Sequence, residues 1–184
     1  MSDNLANLTR AIELFDSVCA QVPSEAWDND SPCEGWTARD VLRHQCGVLD
    51  ALASIARTGE LSFPTMPDAP ADPAARWAET RDGVTEALNL PGALDHEGKW
   101  WFGPMSVEAL LGVVSWDPLT HSWDIAQAAG IDVELPADLC EISLNTIKSM
   151  GEGPRKMKLI TDPVEISDDA PIADRYLAYV GRQP

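Results

Sequence analysis

The sequence predicts an all-α protein, and three observations carry that prediction. Apolar residues recur at spacings of three and four along most of the 184 residues. Cap residues precede these periodic stretches, and glycine or proline follows them. Nothing in the chain has the look of a β-barrel.

The first helix follows from Leu5, Leu8, Ile12, Phe15, Cys19 and Val22, and Pro23 ends it. A polar loop covers residues 28–35. The second helix has a strong start. Thr37 can cap it, Asp40 sits at the third helical position, and Trp36 can staple to Val41. Its inner stripe is Val41, His44, Val48, Leu52 and Ile55, with Leu42, Cys46, Leu49 and Ala53 beside it. Gly59 is a suitable terminator.

Residues 61–73 hold Pro64, Pro67, Pro70 and Pro73, which makes them a loop and a candidate lid. Asp72-Pro73 then reads as cap and first-turn proline. The third helix runs to about Leu90 with Trp77, Val84 and Leu88 as its apolar face, and Pro91-Gly92 breaks it. The segment Ala93 to Pro104 is expected to be irregular. It carries Trp100-Trp101-Phe102, candidates for core packing, a pocket mouth or an oligomer contact.

The fourth helix starts at Ser106 and is expected to reach Gly130, with an inward stripe of Leu110, Val114, Asp117 and His121. Pro118 should kink it. A fifth pattern runs from Ala137 to Met150. Beyond it, Lys156–Ile160 and Val164–Ile166 read as short strands or extended tail, and Ile172–Val180 as a last short helix. Residues 1–150 are therefore expected to form a metal-binding helical bundle, with 151–184 as an extension of the same domain.

Lys and Arg number 13 against 30 Asp and Glu, a formal charge of −17. Such a field repels nucleic acid and anionic membranes and leaves a small molecule as the natural partner. No apolar run approaches the roughly 18 residues of a membrane span. Met1-Ser2-Asp3-Asn4 leads directly into the first helix, so no leader is expected and the cytoplasm is the expected location. Cys19, Cys33, Cys46 and Cys140 form no Cys-x-x-Cys pair, which points to reduced thiols. Cys33 precedes the second helix and could be exposed. No dedicated base is visible for it or for Cys46, which argues against a catalytic cysteine.

The chemistry centres on Asp117 and His121, which share a helix face at i and i+4. A carboxylate on an apolar stripe costs several kcal/mol unless paired, roughly 3–5 when its partner is lost. His44 interrupts the stripe of another helix. Alone, His44 reads as a hydrogen-bonded core histidine, and Asp117 with His121 reads as a local hydrogen bond. Together, two imidazoles and a carboxylate suit a divalent cation with open positions. Asp124 can hold a ligand imidazole in its tautomer or cap a neighbouring backbone group. Arg39, Arg43 and Arg81 are candidates for a substrate carboxylate or simply solvated arginines. Trp36, Trp116 and Trp123 are expected in the core.

Two segments carry a family likeness. Ser31-Pro32-Cys33-Glu34-Gly35-Trp36-Thr37-Ala38-Arg39-Asp40-Val41-Leu42-Arg43-His44 resembles a signature of the DinB-like superfamily, specifically its mycothiol-dependent maleylpyruvate isomerase branch. Asp117-Pro118-Leu119-Thr120-His121-Ser122-Trp123-Asp124-Ile125-Ala126, followed by Ala129-Gly130, resembles that branch's second element. The ending, Asp174-Arg175-Tyr176-Leu177 with Gly181-Arg182, resembles its short, single-domain members. The resemblance implies a DinB-like up-and-down four-helix bundle with a short C-terminal extension. It places metal ligands on His44, Asp117 and His121. Two departures stand out: the larger C-terminal domain of the characterised isomerase is missing, and Asp117 stands where glutamate is common.

The resulting expectation is a divalent-metal protein, zinc first and nickel or iron as alternatives. It would use a thiol such as mycothiol as co-substrate in a transferase or isomerase reaction on a small molecule. The alternative is a non-catalytic metal-binding stress or accessory protein, and a homodimer is compatible with either. A mononuclear iron oxygenase shares the ligand types but usually occupies a β-barrel.

Overall fold

The computed structural model describes residues 2–61, 70–100 and 103–184. Pro64 and Pro67 of the candidate lid, and Trp101 and Phe102 of the aromatic triplet, lie outside the described residues. The chain divides into two compact units, Met1–Val133 and Glu134–Pro184.

The first unit is a four-helix bundle whose last helix is broken. Helix α1 spans Asp3–Cys19 and is capped by Ser2, whose hydroxyl accepts from the Leu5 amide. Helix α2 spans Ala38–Thr58. The expected start is present as a full capping box: Thr37 accepts from the Asp40 amide, and the Asp40 carboxylate accepts from Thr37. Gly59 ends α2 at φ +72°, a conformation that favours glycine. Helix α3 spans Pro73–Leu88 with Asp72 as its cap.

The expected single helix from Ser106 to Gly130 is instead two, α4 at Val107–Val114 and α5 at Trp116–Ala129. The break at Ser115 has a clear cause. Pro118 offers no amide to the Val114 carbonyl, and its ring crowds that carbonyl. The chain therefore restarts its helix just ahead of the proline. Before α4, part of the segment expected to be irregular forms a small antiparallel hairpin of β1, Glu97–Trp100, and β2, Gly103–Ser106.

In this unit α1 packs on α4 and α5, and α2 packs on α3 and α5. The core is formed by residues such as Leu8, Phe15, Leu42, Leu49, Leu52, Leu110 and Leu111, each at most 1% exposed. Trp100 is buried with them, at 5% exposure. Polar ties fix the helices in register. Trp77 Nε1 and Arg81 Nη1 both donate to Asp16 Oδ1, at 2.7 and 2.8 Å. Asn4 donates to Glu108 Oε1 at 3.0 Å, and Gly112 leaves room for that asparagine. Arg76 on α3 pairs with Asp50 on α2.

The second unit contains α6 (Ala137–Ser149), α7 (Gly153–Lys156) and α8 (Ile172–Tyr179). Helix α6 packs on α8 around Leu144, Ile147, Tyr176 and Leu177. Arg155 lies over the Tyr179 ring at 4.5 Å and donates to its carbonyl at 2.9 Å. The stretches considered as short strands form none: Lys156 closes α7, and Val164–Ile166 has no strand assignment, the Val164 amide donating to the Ala178 carbonyl at 2.9 Å. Among the described residues no helix is long and apolar enough to cross a membrane.

Candidate metal centre

The site is built by α2, α5 and the loop that precedes α2. One face of α5 carries Asp117, His121 and Asp124 at i, i+4 and i+7. These are 7%, 6% and 0% exposed, so the bundle buries a polar stripe. Helix α2 packs against α5 and brings in His44.

The three side chains expected to meet do meet. His44 Nε2 lies 3.5 Å from Asp117 Oδ2, and His121 Nε2 lies 3.6 Å from Asp117 Oδ1. The two imidazoles stand edge to face with ring centroids 5.0 Å apart. One donor atom from each of the three residues lies within 4.8 Å of the others.

These separations are long for hydrogen bonds and suited to ligands of one cation. Donor atoms bound tetrahedrally at about 2.0–2.2 Å sit roughly 3.3–3.6 Å apart. The Asp117 Oδ2 atom is buried and has no hydrogen-bond partner. Such an orphaned oxygen is costly unless a cation or donor satisfies it. The donor set therefore fits a divalent ion. His44 is the open side: its side chain is 30% exposed, against 8% for His121.

Asp124 lies on the other edge of the His121 ring. His121 Nδ1 and Asp124 Oδ2 are 2.8 Å apart. A carboxylate accepts, so the ring donates from Nδ1. That leaves the Nε2 lone pair directed at the Asp117 side.

Two features of the site are not visible in the sequence. The segment Asn29–Ala38 folds back on itself through Ser31 N–Trp36 O at 2.8 Å and Ala38 N–Asn29 O at 3.0 Å. Asn29 anchors it to α5 by donating to the Ala128 carbonyl at 2.9 Å. This closure sets the Trp36 ring 5.2 Å from His44, half-buried rather than in the core, whereas Trp116 and Trp123 are buried as expected. It also sets Cys33 Sγ 3.2 Å from Asp124 Oδ2. Sequence alone shows no base for Cys33 because the carboxylate lies on another helix, far along the chain. The other thiols stay out of the chemistry. Burial pushes Cys46 up to about 11 and Cys140 up to about 12, and raises Cys19 as well.

Arg39 and Arg81 are committed elsewhere. Arg39 bonds Asp28 at 2.9 Å and the Pro70 carbonyl at 2.7 Å, while Arg81 pairs with Asp16 at 2.8 Å and Asp82 at 2.9 Å. Arg43 pairs with Asp40 at 3.2 Å and is close enough to His44 to oppose its protonation.

Charge coupling at the centre has a measurable sign. Burial pulls the His44 pKa down, but the Asp117 carboxylate overcomes this and leaves it raised. Burial opposes ionisation of Asp117, and the imidazoles of His44 and His121 overcome that and leave its pKa lowered. Without a cation, the His44 contribution to stability is full below the unfolded imidazole value of about 6.5 and fades as pH rises through the folded value. The Asp117 contribution is present above about 3.9 and is lost as pH falls through the folded value. A bound cation needs unprotonated imidazoles, so its stabilisation grows with pH. Urea midpoints between about pH 6 and 8 should therefore show this site's contribution falling in chelator and rising with zinc. Parallel slopes in the two series would contradict the coupling.

Comparison with known proteins identifies relatives of this chain. Residues 8–126 match the model of the mycothiol maleylpyruvate isomerase N-terminal domain. An uncharacterized protein of Mycobacterium tuberculosis is 26% identical over 184 residues, covering 98% of each chain. A second uncharacterized protein of that organism is 27% identical over 152 residues, covering 69% of this chain and 56% of its own. Among solved structures, a histidine-to-alanine mutant of mycothiol-dependent maleylpyruvate isomerase superposes with a TM-score of 0.51 at 17% identity. That match covers 80% of this chain and 68% of the isomerase, and shows the shared fold. By its bundle, and by a family match that extends through both halves of the candidate centre, this chain belongs to the mycothiol maleylpyruvate isomerase N-terminal domain family.

Proposed function

We propose that this protein holds a divalent cation, zinc by preference, on His44, Asp117 and His121. We read it as a cytoplasmic transferase or isomerase that uses a small thiol such as mycothiol on a small-molecule substrate. The observation that carries this reading is the orphaned Asp117 Oδ2, on a carboxylate buried between two imidazole nitrogens at 3.5–3.6 Å spacings, with the His44 side open.

When bound, a divalent cation there supplies the positive charge that favours a thiolate over a thiol. The chain's own residues set up the rest. Asp124 holds the His121 proton on Nδ1 and keeps Nε2 available. Trp36 flanks the His44 ring and restricts water on that face. The His44 side chain is 30% exposed, so an incoming thiol would approach from that side, whereas a closed site with four protein ligands would suit a structural role.

Calorimetry tests the reading. A small thiol titrated into zinc-loaded protein, in buffers of different ionisation enthalpy, should bind and release about one proton at neutral pH, where a free thiol of pKa about 8.5 is mostly protonated. Chelated protein and His44→Ala should show neither signal. Zinc uptake with no thiol binding would leave a non-catalytic metal-binding protein.

A further inference from the structure

A second cluster lies on the opposite edge of the His121 ring. Cys33 Sγ, the Asp124 carboxylate and His121 Nδ1 all lie within 4.8 Å of one another. Asp124 Oδ2 takes Cys33 Sγ at 3.2 Å and His121 Nδ1 at 2.8 Å on the same oxygen. Asp124 is 0% exposed, while Cys33, at the rim, is half-buried. The cluster thus has a sulfur at the solvent boundary, a buried carboxylate and a buried imidazole.

We propose that Cys33, Asp124 and His121 form a second cation site, selective for soft, thiophilic divalent ions such as cadmium. Thiolate is the preferred donor for soft cations, and imidazole suits borderline ones. Tetrahedral bonds of about 2.3 Å to sulfur and 2.0–2.2 Å to nitrogen and oxygen put the donors roughly 3.3–3.7 Å apart. Reaching those spacings from the observed 3.2 and 2.8 Å needs an outward shift of Cys33 at the loop edge and a side-chain adjustment of about half an ångström between His121 and Asp124 on α5. Binding balances simply. The Cys33 thiol proton leaves to solvent, and the imidazole proton moves from Nδ1 to Nε2. No electron is transferred.

The proton movement couples the two sites, a point that rests on the proposed function. A neutral imidazole carries one proton. With Nε2 protonated, His121 is lost as a ligand facing Asp117 and His44. A soft ion on the Cys33 edge therefore antagonises zinc on the other edge, and zinc antagonises the soft ion.

Cadmium alone is the probe, and thiolate-to-cadmium ultraviolet absorption is the readout. Metal-free wild type and His44→Ala should both develop this absorption, because His44 belongs only to the other cluster. Cys33→Ser should lose it, with cadmium affinity falling more than the 10–100-fold typical of removing a partner outside the coordination sphere. The serine hydroxyl still donates to Asp124, and circular dichroism checks that the variant folds. Zinc-loaded wild type should bind cadmium more weakly than chelated wild type. The other thiols are buried and should not substitute. Undiminished absorption in Cys33→Ser, or none in His44→Ala, would overturn the second site. Failure of zinc binding in wild type, with the Cys33→Ser and His44→Ala cadmium results intact, would overturn the proposed function and the antagonism but leave the second site standing; failure of thiol binding alone would overturn only the proposed function.

Discussion

His121→Ala should abolish the divalent-cation binding proposed for this centre. Metal analysis should fall from near one zinc per chain to a background level, and zinc should no longer raise the melting temperature. His121 is 6% exposed and supplies an Nε2 that faces Asp117 while Asp124 holds its other nitrogen. No neighbour on α5 can replace that geometry. In wild type, free zinc at about 100 times its dissociation constant adds roughly 2.7 kcal/mol of stability, and this increment should vanish. The metal-free variant should also be weaker than metal-free wild type, but by less than the roughly 3–5 kcal/mol of a buried charge left with no partner, because His44 still faces Asp117 at 3.5 Å. His44→Ala should lose zinc as well but unfold less readily, since its ring is 30% exposed. Zinc content that survives both substitutions would refute the ligand assignment.

Phe15→Ala should cost about 3–5 kcal/mol, a large share of the roughly 5–15 kcal/mol that stabilises a typical domain. Phe15 is 0% exposed, and its ring packs on Trp77 with centroids 4.6 Å apart at 59°. That contact joins α1 to α3, and Trp77 is fixed by its bond to Asp16 at 2.7 Å. Truncation removes the ring and leaves a cavity that the restrained tryptophan cannot fill. Urea unfolding should show a lower midpoint with little change in slope. Saturating zinc should shift wild type and variant by similar amounts, because the cation acts at the folded centre in both. A loss below about 1 kcal/mol would mean that the α1–α3 seam collapses onto the space.

Much of this molecule is legible in its sequence because much of it is local. The α2 capping box needs only residues three apart, and Gly59 needs only its own freedom at φ +72°. Asp117, His121 and Asp124 share a face of α5 by helical spacing alone. The helix break is less legible. Pro118 announces a disturbance, but whether it yields a kink or a restart at Ser115 depends on how α4 and α5 pack separately.

The sequence by itself determined the helical class, the caps, and a carboxylate and imidazole one turn apart on one face. Only the tertiary structure decided that His44 reaches that pair, that Asp117 Oδ2 is buried without a hydrogen bond, and that Cys33 and Trp36 lie against the site. The reason is physical. Spacing along a helix is set by a fixed rise and turn, whereas an approach between segments tens of residues apart is set by the packing of the whole core.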